Sequence, residues 1–343
     1  MSTTTADTAV GSTEAAGLAS KPPPSKSLSL FTRFRFWTKI WLFKSAVVAT
    51  FKVMRFVQAS KLKPFLPTYT KHYPVRPMLE NRVFLPPNAK SGGKYPLLIV
   101  VHGGGFALLD PTVDDELNSY FANKQGFVVV AVNYRKAPSY AFPDPVHDVA
   151  EITRAVLADQ ELPVDYSNVV LAGFSAGGNL ALAVAQLPGI KEKVRSLLPV
   201  VPVVDFSGIY KGEFRTTKEG KPDVLKDNGA LFTWAYIKEG EDRYDPLLSP
   251  IYAGRDKLPQ RIWFICAEYD YLCHEGEIMA KELAGIEDEN ETGPEWEKNG
   301  IRFRMVPDVQ HGWTHMAKSG DAEVQRKKEV EELYKECADW LRK

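Results

Sequence analysis

The stretch Asn168-Val-Val-Leu-Ala-Gly-Phe-Ser-Ala-Gly-Gly-Asn179 decides the fold. Val169, Val170 and Leu171 form a short β-branched, apolar run of the kind that fills a buried strand. Ala176 to Leu187 is a run of small and apolar residues suited to a helix packed against it. Between them, Gly173-Phe-Ser-Ala-Gly177 sets a serine on a sharp strand-to-helix turn, with glycines where strand and helix must approach closely. This is a nucleophile-elbow pattern, and Ser175 is the candidate nucleophile. Alone the pattern is weak, because Gly-x-Ser-x-Gly recurs by chance and a glycine-rich turn before a helix also suits a phosphate. A serine hydroxyl becomes a good nucleophile only when a base takes its proton, so the reading demands a histidine, a carboxylate and an oxyanion site elsewhere in the chain.

Upstream, the segment 94–101 ends in Pro-Leu-Leu-Ile-Val-Val, a buried strand, and His102-Gly-Gly-Gly-Phe106 follows at once. Three glycines directly after a core strand leave backbone N–H groups unobstructed, as an anion-stabilising loop requires. His102 reads as the residue that fixes this loop rather than as a general base. Phe127 to Val132 forms the next strand, and a Pro-punctuated loop over 133–148 starts a helix near Pro145, where the missing N–H of proline costs nothing. Val146, Val149, Ile152, Ala155 and Val156 give that helix its apolar stripe. Strands alternating with helices predict an α/β fold: a mostly parallel central sheet with helices on both faces.

Three linked motifs, His102-Gly-Gly-Gly-Phe106, Tyr134-Arg-Lys-Ala-Pro-Ser139 with Phe142-Pro143, and Gly173-Phe-Ser-Ala-Gly-Gly-Asn-Leu180, resemble the hormone-sensitive-lipase branch of the α/β-hydrolase fold over about residues 80 to 320. The resemblance implies an oxyanion hole made by the backbone N–H groups of Gly104, Gly105 and Ala176. It also implies a helical cap built from the N-terminus and an insertion after the sixth strand. The chain departs from the family at Ser139, where Glu is usual, and at Phe174, where Asp is common before the serine. Neither change removes a group with a direct catalytic role.

Further on, Leu197 to Val204 reads as a strand ending at Asp205, and the polar, aromatic-dotted segment from Phe206 to about Tyr244 fits the cap insertion. Asp245-Pro-Leu-Leu-Ser-Pro250 is similar to the family's re-entry motif. The strand Arg261 to Cys266 leads into Ala267-Glu-Tyr-Asp-Tyr-Leu-Cys-His-Glu275, which in the family carries the triad acid. Asp270 matches that acid and Glu275 the motif's last residue, while His274 replaces a second acid and reads as a surface residue. Asp205 and Glu268 are the competing carboxylates. The acidic, turn-rich segment 285–300 reads as a solvated loop, and Asn290-Glu-Thr292 as a chance glycosylation triplet. Ile301 to Val306 makes the last strand; His311-Gly-Trp313 after it resembles the family's His-Gly-Phe and supplies the base, with His315 as the alternative. The chain order Ser175, Asp270, His311 is the one this fold uses. Ala322 to Leu341 is an amphipathic helix.

The expected organisation is a disordered tail over 1–28, N-terminal cap helices over 29–62, a catalytic core over 63–206 and 245–343, and the cap insertion over 207–244. Apolar content of 44% and charged content of 25% are those of a globular protein, and no apolar run reaches the roughly 18 residues that span a bilayer. Three unpatterned cysteines argue against a disulfide framework or a zinc site and favour a reducing, cytoplasmic compartment. The net charge of zero hides an asymmetry: residues 15–79 hold twelve Lys or Arg and no Asp or Glu. With its interleaved aromatics, 29–62 is expected to be helical and to cover the site, and it is also a candidate for peripheral membrane contact. No recognition fold for nucleic acid is present, no metal or organic cofactor is expected, and a homodimer is left open. The leading function is that of a serine hydrolase cleaving a small or medium hydrophobic ester or lactone. The alternatives are a biosynthetic enzyme performing cyclisation, lactonisation or acyl transfer on the same scaffold, and a non-catalytic ligand receptor.

Overall fold

The computed structural model describes residues 28–287 and 292–343. The tail expected to be disordered therefore lies outside the described residues, apart from Leu28, as does most of the Asn290-Glu-Thr292 triplet.

The chain runs through helices α1 (Leu30–Val57) and α2 (Ala59–Leu62), strands β1 (Tyr69–His72), β2 (Glu80–Phe84) and β3 (Tyr95–Val101), and then helix α3 (Asp115–Asn123). Next come β4 (Val128–Val132), α4 (Asp144–Leu157), β5 (Val164–Phe174), α5 (Ala176–Val184) and β6 (Val194–Val200). Helix α6 (Gly229–Tyr236), β7 (Arg261–Tyr269), α7 (Cys273–Ala284), β8 (Glu295–Lys298), β9 (Ile301–Gln310) and α8 (Asp321–Arg342) complete it. The strands form one sheet in the order β1-β2-β4-β3-β5-β6-β7-β9-β8. Its six central strands, from β4 to β9, pair in parallel, and β1, β2 and β8 are antiparallel additions at the two edges.

Strand alternation divides the core into two layers. Leu97, Ile99 and Val101 of β3 face one cluster, which also takes Val149 and Ile152 of α4, Leu180 of α5 and Met279 of α7. Leu98 and Val100 face the other, with Phe121 of α3 and Leu333 and Trp340 of α8. Because both faces are covered, these strands read as unbroken apolar runs rather than as alternation. The chain leaves β3 towards β4, then returns to the other side of β3 as β5, so the order reverses at β3 and β5. Open α/β sheets bind ligands at the carboxyl ends of strands beside such a reversal.

At the top of the molecule α1 lies over α6. Phe36, Ile40, Phe43 and Val47, at helical spacing, turn inward, and Ile40 is fully buried. Lys39 donates to the Asp227 carbonyl at 3.3 Å and Lys44 to the Ala137 carbonyl at 2.8 Å, tying the helix to the segment 207–244 and to the loop after β4. No helix among the described residues is long and apolar enough to cross a membrane.

Two expectations need correction. The strand read as Leu197 to Val204 is β6, which starts three residues earlier and stops at Val200, because Val201 turns to φ 42 and gives its N–H to the Ile265 carbonyl at 2.7 Å. Segment 285–300 is not all solvated loop. Its end forms β8, which returns along β9 through Asn299 and Gly300 at φ 51 and 79, and Trp296 stacks on Phe303 at 5.7 Å. Two successive positive φ values are what a tight hairpin turn asks of an Asn-Gly pair.

Candidate active site

Four strand ends meet beside the order reversal: β3 delivers the glycine loop, β5 the serine, β7 Asp270 and β9 His311. Ser175 sits at φ 55, ψ −118, a conformation costly for a residue with a side chain. Its surroundings hold it there. The Ser175 N–H donates to the Val200 carbonyl at 2.8 Å, and its own carbonyl accepts from Asn179 at 3.1 Å as α5 begins. A Cβ at Gly177 would lie 1.9 Å from the Val101 carbonyl oxygen, so α5 can start this close to β3 only with glycine there.

His311 is buried and bridges two groups. Its Nδ1 lies 2.8 Å from Asp270 Oδ2 and its Nε2 lies 2.9 Å from Ser175 Oγ. A carboxylate can only accept, so Nδ1 carries the proton and Nε2 presents its lone pair to the serine hydroxyl. Asp270 is buried, and its other oxygen accepts the Leu272 N–H at 3.0 Å, which fixes the carboxylate plane. Burial disfavours the imidazolium, but the Asp270 charge and hydrogen bond, with a smaller contribution from Asp223, outweigh it and raise the His311 pKa above its ordinary 6.5.

The glycine loop is held from beneath. His102 Nδ1 is 2.7 Å from the Gly103 carbonyl, its ring stacks on Tyr134 at 4.5 Å, and the Tyr134 hydroxyl donates to the His102 carbonyl at 3.2 Å. Burial, and then the charge of Lys136, push the His102 pKa well down, so the ring is neutral and serves the loop. The Gly104 carbonyl is taken by the N–H groups of Ala107 and Leu108 at 3.1 and 2.9 Å. Among the described residues no acceptor takes the N–H of Gly104 or Gly105, and that of Ala176, first in α5, has no intrahelical partner. Gly105, at φ 58, lies directly under Phe232 of α6: a Cβ there would come within 2.6 Å of the ring.

The competing residues are occupied elsewhere. Asp205 accepts from the N–H groups of Ser207, Gly208 and Tyr210 between 2.7 and 3.1 Å and shapes the turn after β6. Glu268 accepts from Asp308 N–H at 2.8 Å. His315 Nε2 lies 2.7 Å from Asp114, not near the serine. His274 is exposed. Glu275 is fully buried, takes the Val204 N–H at 2.8 Å, and so ties α7 to the segment after β6; burial raises its pKa well above the usual range. Ser139 is exposed, and nothing in the structure explains its departure from the family's Glu.

Sequence reasoning missed Asp223. Its carboxylate accepts the Tyr271 N–H at 2.6 Å and the Leu225 N–H at 2.7 Å, joining the segment 207–244 to the residue after Asp270. Lys221-Pro-Asp223 reads locally as an ordinary turn, and no pattern marks a partner 48 residues away.

Comparisons with known proteins identify the fold family. The model of an alpha/beta hydrolase fold family matches residues 98–305, more than half of the chain. The chain belongs to this family, in its hormone-sensitive-lipase-like branch. It is 34% identical over 207 residues to an arylesterase of Saccharolobus solfataricus, covering 59% of this chain and 65% of that protein. It is 32% identical over 240 residues to the carboxylic ester hydrolase LipN of Mycobacterium tuberculosis, covering 67% of this chain and 60% of that one. The match thus spans less than two thirds of either relative. Among solved structures, EstE1, a thermostable carboxylesterase cloned from a metagenomic library, aligns with a TM-score of 0.63 at 28% identity, covering 77% of this chain and 85% of that one. An esterase of Pyrobaculum calidifontis shares the fold over 92% of this chain and 98% of its own, with a TM-score of 0.67 at 24% identity.

Proposed function

We propose that the protein is a serine carboxylesterase that cleaves a small or medium hydrophobic ester through an acyl-enzyme. The observation that carries this reading is the hydrogen-bonded chain from Ser175 Oγ through His311 to Asp270, with the serine on a strained elbow. As Ser175 Oγ attacks the ester carbonyl, His311 Nε2 takes its proton, and Asp270 stabilises the imidazolium that forms. The carbonyl oxygen gains negative charge and is met by the N–H groups of Gly104, Gly105 and Ala176. His311 passes the proton to the departing alcohol, leaving the acyl group on Ser175. Water then attacks the acyl carbon, giving a proton to His311, and the acid leaves as Ser175 is reprotonated.

In this reading α1 and the segment 207–244 form the cap. Phe232 against Gly105, with Phe43 beside Phe232 at 6.2 Å, places aromatic side chains next to the glycine loop, which suits an apolar acyl or alcohol group. The relatives with esterase names support the same chemistry.

Hydrolysis of p-nitrophenyl esters of graded chain length tests the proposal. Wild type should turn them over, and Ser175→Ala should lose about 10⁴-fold or more in kcat/KM while keeping its fold. A fluorophosphonate should label wild type at Ser175. Equal, slow rates for wild type and variant, with no labelling, would end the hydrolase reading.

A further inference from the structure

Helix α1 has two apolar faces, and the protein covers only one of them. Opposite the Phe36–Ile40–Phe43–Val47 stripe stand Phe34, Leu42, Val53 and Phe56, exposed by 65, 68, 63 and 86%, together with the half-exposed Trp37 and Trp41. At 3.6 residues per turn these six fall within an arc of roughly 160°, along a helix about 42 Å long. A surface helix that meets only water puts polar residues on such a face, and a contiguous apolar patch of this size marks an interface. Arg35 and Lys52 lie on the same arc and Lys39 and Arg55 at its margins, while no acidic residue occurs between positions 15 and 79.

We propose that this outward face docks on an anionic lipid surface. Apolar aromatic groups and cations on one helix face meet acyl chains and negatively charged headgroups at the same time; Trp and Phe are suited to that boundary, and Lys and Arg to the headgroups. A second copy of this chain would bring the same cations face to face across a two-fold axis. The inner face of the helix meets the roof of the site: Phe43 lies 6.2 Å from Phe232, which sits on Gly105, and Lys44 reaches the Ala137 carbonyl. Docking therefore sets the lipid on the far side of α1 from the glycine loop, with Phe43 and Phe232 between them. The substrate class that follows, an ester drawn from a lipid layer, rests on the hydrolase reading; the docking does not.

Flotation of the full chain with vesicles of phosphatidylcholine alone, or of phosphatidylcholine with phosphatidylserine, tests the surface. The protein should float with the phosphatidylserine vesicles and less so as salt rises, since the screening length shortens. Brominated acyl chains should quench its tryptophan fluorescence. The variant Phe34→Glu/Val53→Glu should bind more than about tenfold more weakly. Both positions are exposed, so its thermal unfolding and its hydrolysis of a water-soluble short ester should match wild type. Ser175→Ala should float like wild type, which separates failure of the docking from failure of the hydrolase reading. Wild type staying in the bottom fraction with phosphatidylserine vesicles, or wild type and the double variant floating equally, overturns the proposal. So does a dimer in light scattering that the double variant abolishes while vesicle binding is unchanged; that result assigns the face to a second copy.

Discussion

The histidines of two aspartate–histidine pairs stand four residues apart on the loop after β9, and they use opposite ring nitrogens. His311 offers Nδ1 to Asp270 and keeps Nε2 for Ser175. His315 offers Nε2 to Asp114 at 2.7 Å, and its Nδ1 meets the hydroxyl of its own neighbour Thr314 at 2.8 Å. The Phe174 ring touches both imidazoles edge-on, with centroids 5.6 and 4.5 Å away. An aspartate beside a histidine therefore does not make a base; the partner of the remaining nitrogen decides. On one side that partner is a hydroxyl on a strained elbow. On the other it is a threonine packed against the C-terminal layer, beside a cavity of about 30 Å³ lined by Phe174, His315, Asp114 and Tyr334 but not by Ser175 or His311. The second pair clamps the loop that carries the first.

The widest separation between the pairs should come from removing each carboxylate's charge. Asp270→Asn is expected to lower kcat by about 10⁴-fold, because an amide at that site no longer holds the His311 tautomer or supports its charged form. The wild-type pH profile sharpens the same point. His311 works as a base only when neutral, and its pKa is raised above 6.5, so kcat/KM should climb with pH through a value above 6.5; in Asp270→Asn that limb should move down. The raised pKa also fixes the sign for stability. The stabilisation from this pair is complete below the unfolded value near 6.5 and fades as pH rises through the folded value. Thermal melts across that range check it, and a limb at or below 6.5 in wild type would contradict the assignment.

In the proposed mechanism the first pair works with the glycine loop as its oxyanion site, and Gly105→Ala tests that assignment. The new Cβ meets the Phe232 ring at 2.6 Å and must adopt φ 58, so kcat should drop by about 10²-fold as the N–H groups shift. Adding Phe232→Ala should recover part of the loss by opening the space; no recovery would assign the whole effect to backbone strain.

Breaking the second pair should read mainly in stability. Asp114→Asn weakens a buried, charge-assisted hydrogen bond and is expected to cost about 1–3 kcal/mol in denaturant unfolding. The effect on kcat should stay within about tenfold, because the loop still delivers His311. A loss as large as that of Asp270→Asn would show that the second pair is part of the reacting unit and not its support.

What the sequence made legible follows from how local each signal is. The elbow, the glycine loop and the Pro145 helix start are each written within a few consecutive residues, because strand, turn and helix geometry dictates residue type at fixed offsets. Matching the motifs to a known family then named Asp270 and His311, which the fold brings into one hydrogen-bonded chain although 41 and 136 residues separate His311 from its partners. The Asp114–His315 clamp spans 201 residues, and Asp223 reaches Tyr271 from an aromatic-dotted segment that reads only as insertion. Such pairings are set by packing and leave no periodicity to read. The β8 hairpin was within reach: Asn299-Gly300 is a turn signal, hidden by the acidic residues before it.

Phe174 departs from the family's Asp, and the two imidazoles it touches give that departure a consequence. An aromatic ring there sets a neutral, apolar group against both His311 and His315, and among the described residues the carboxylate hydrogen-bonded to His311 is Asp270. Phe174→Asp, which installs the residue common in the family, would place a third carboxylate within reach of both rings. A negative charge at about 4–6 Å favours the protonated imidazole, so the acid limb of kcat/KM should move up by about one unit while the plateau changes only a few-fold. Phe174→Leu, apolar but smaller, should leave the limb in place and lower stability by about 1–3 kcal/mol through the space it opens. If both variants move the limb alike, the ring acts on His311 through packing; if only the aspartate does, it acts by keeping charge away.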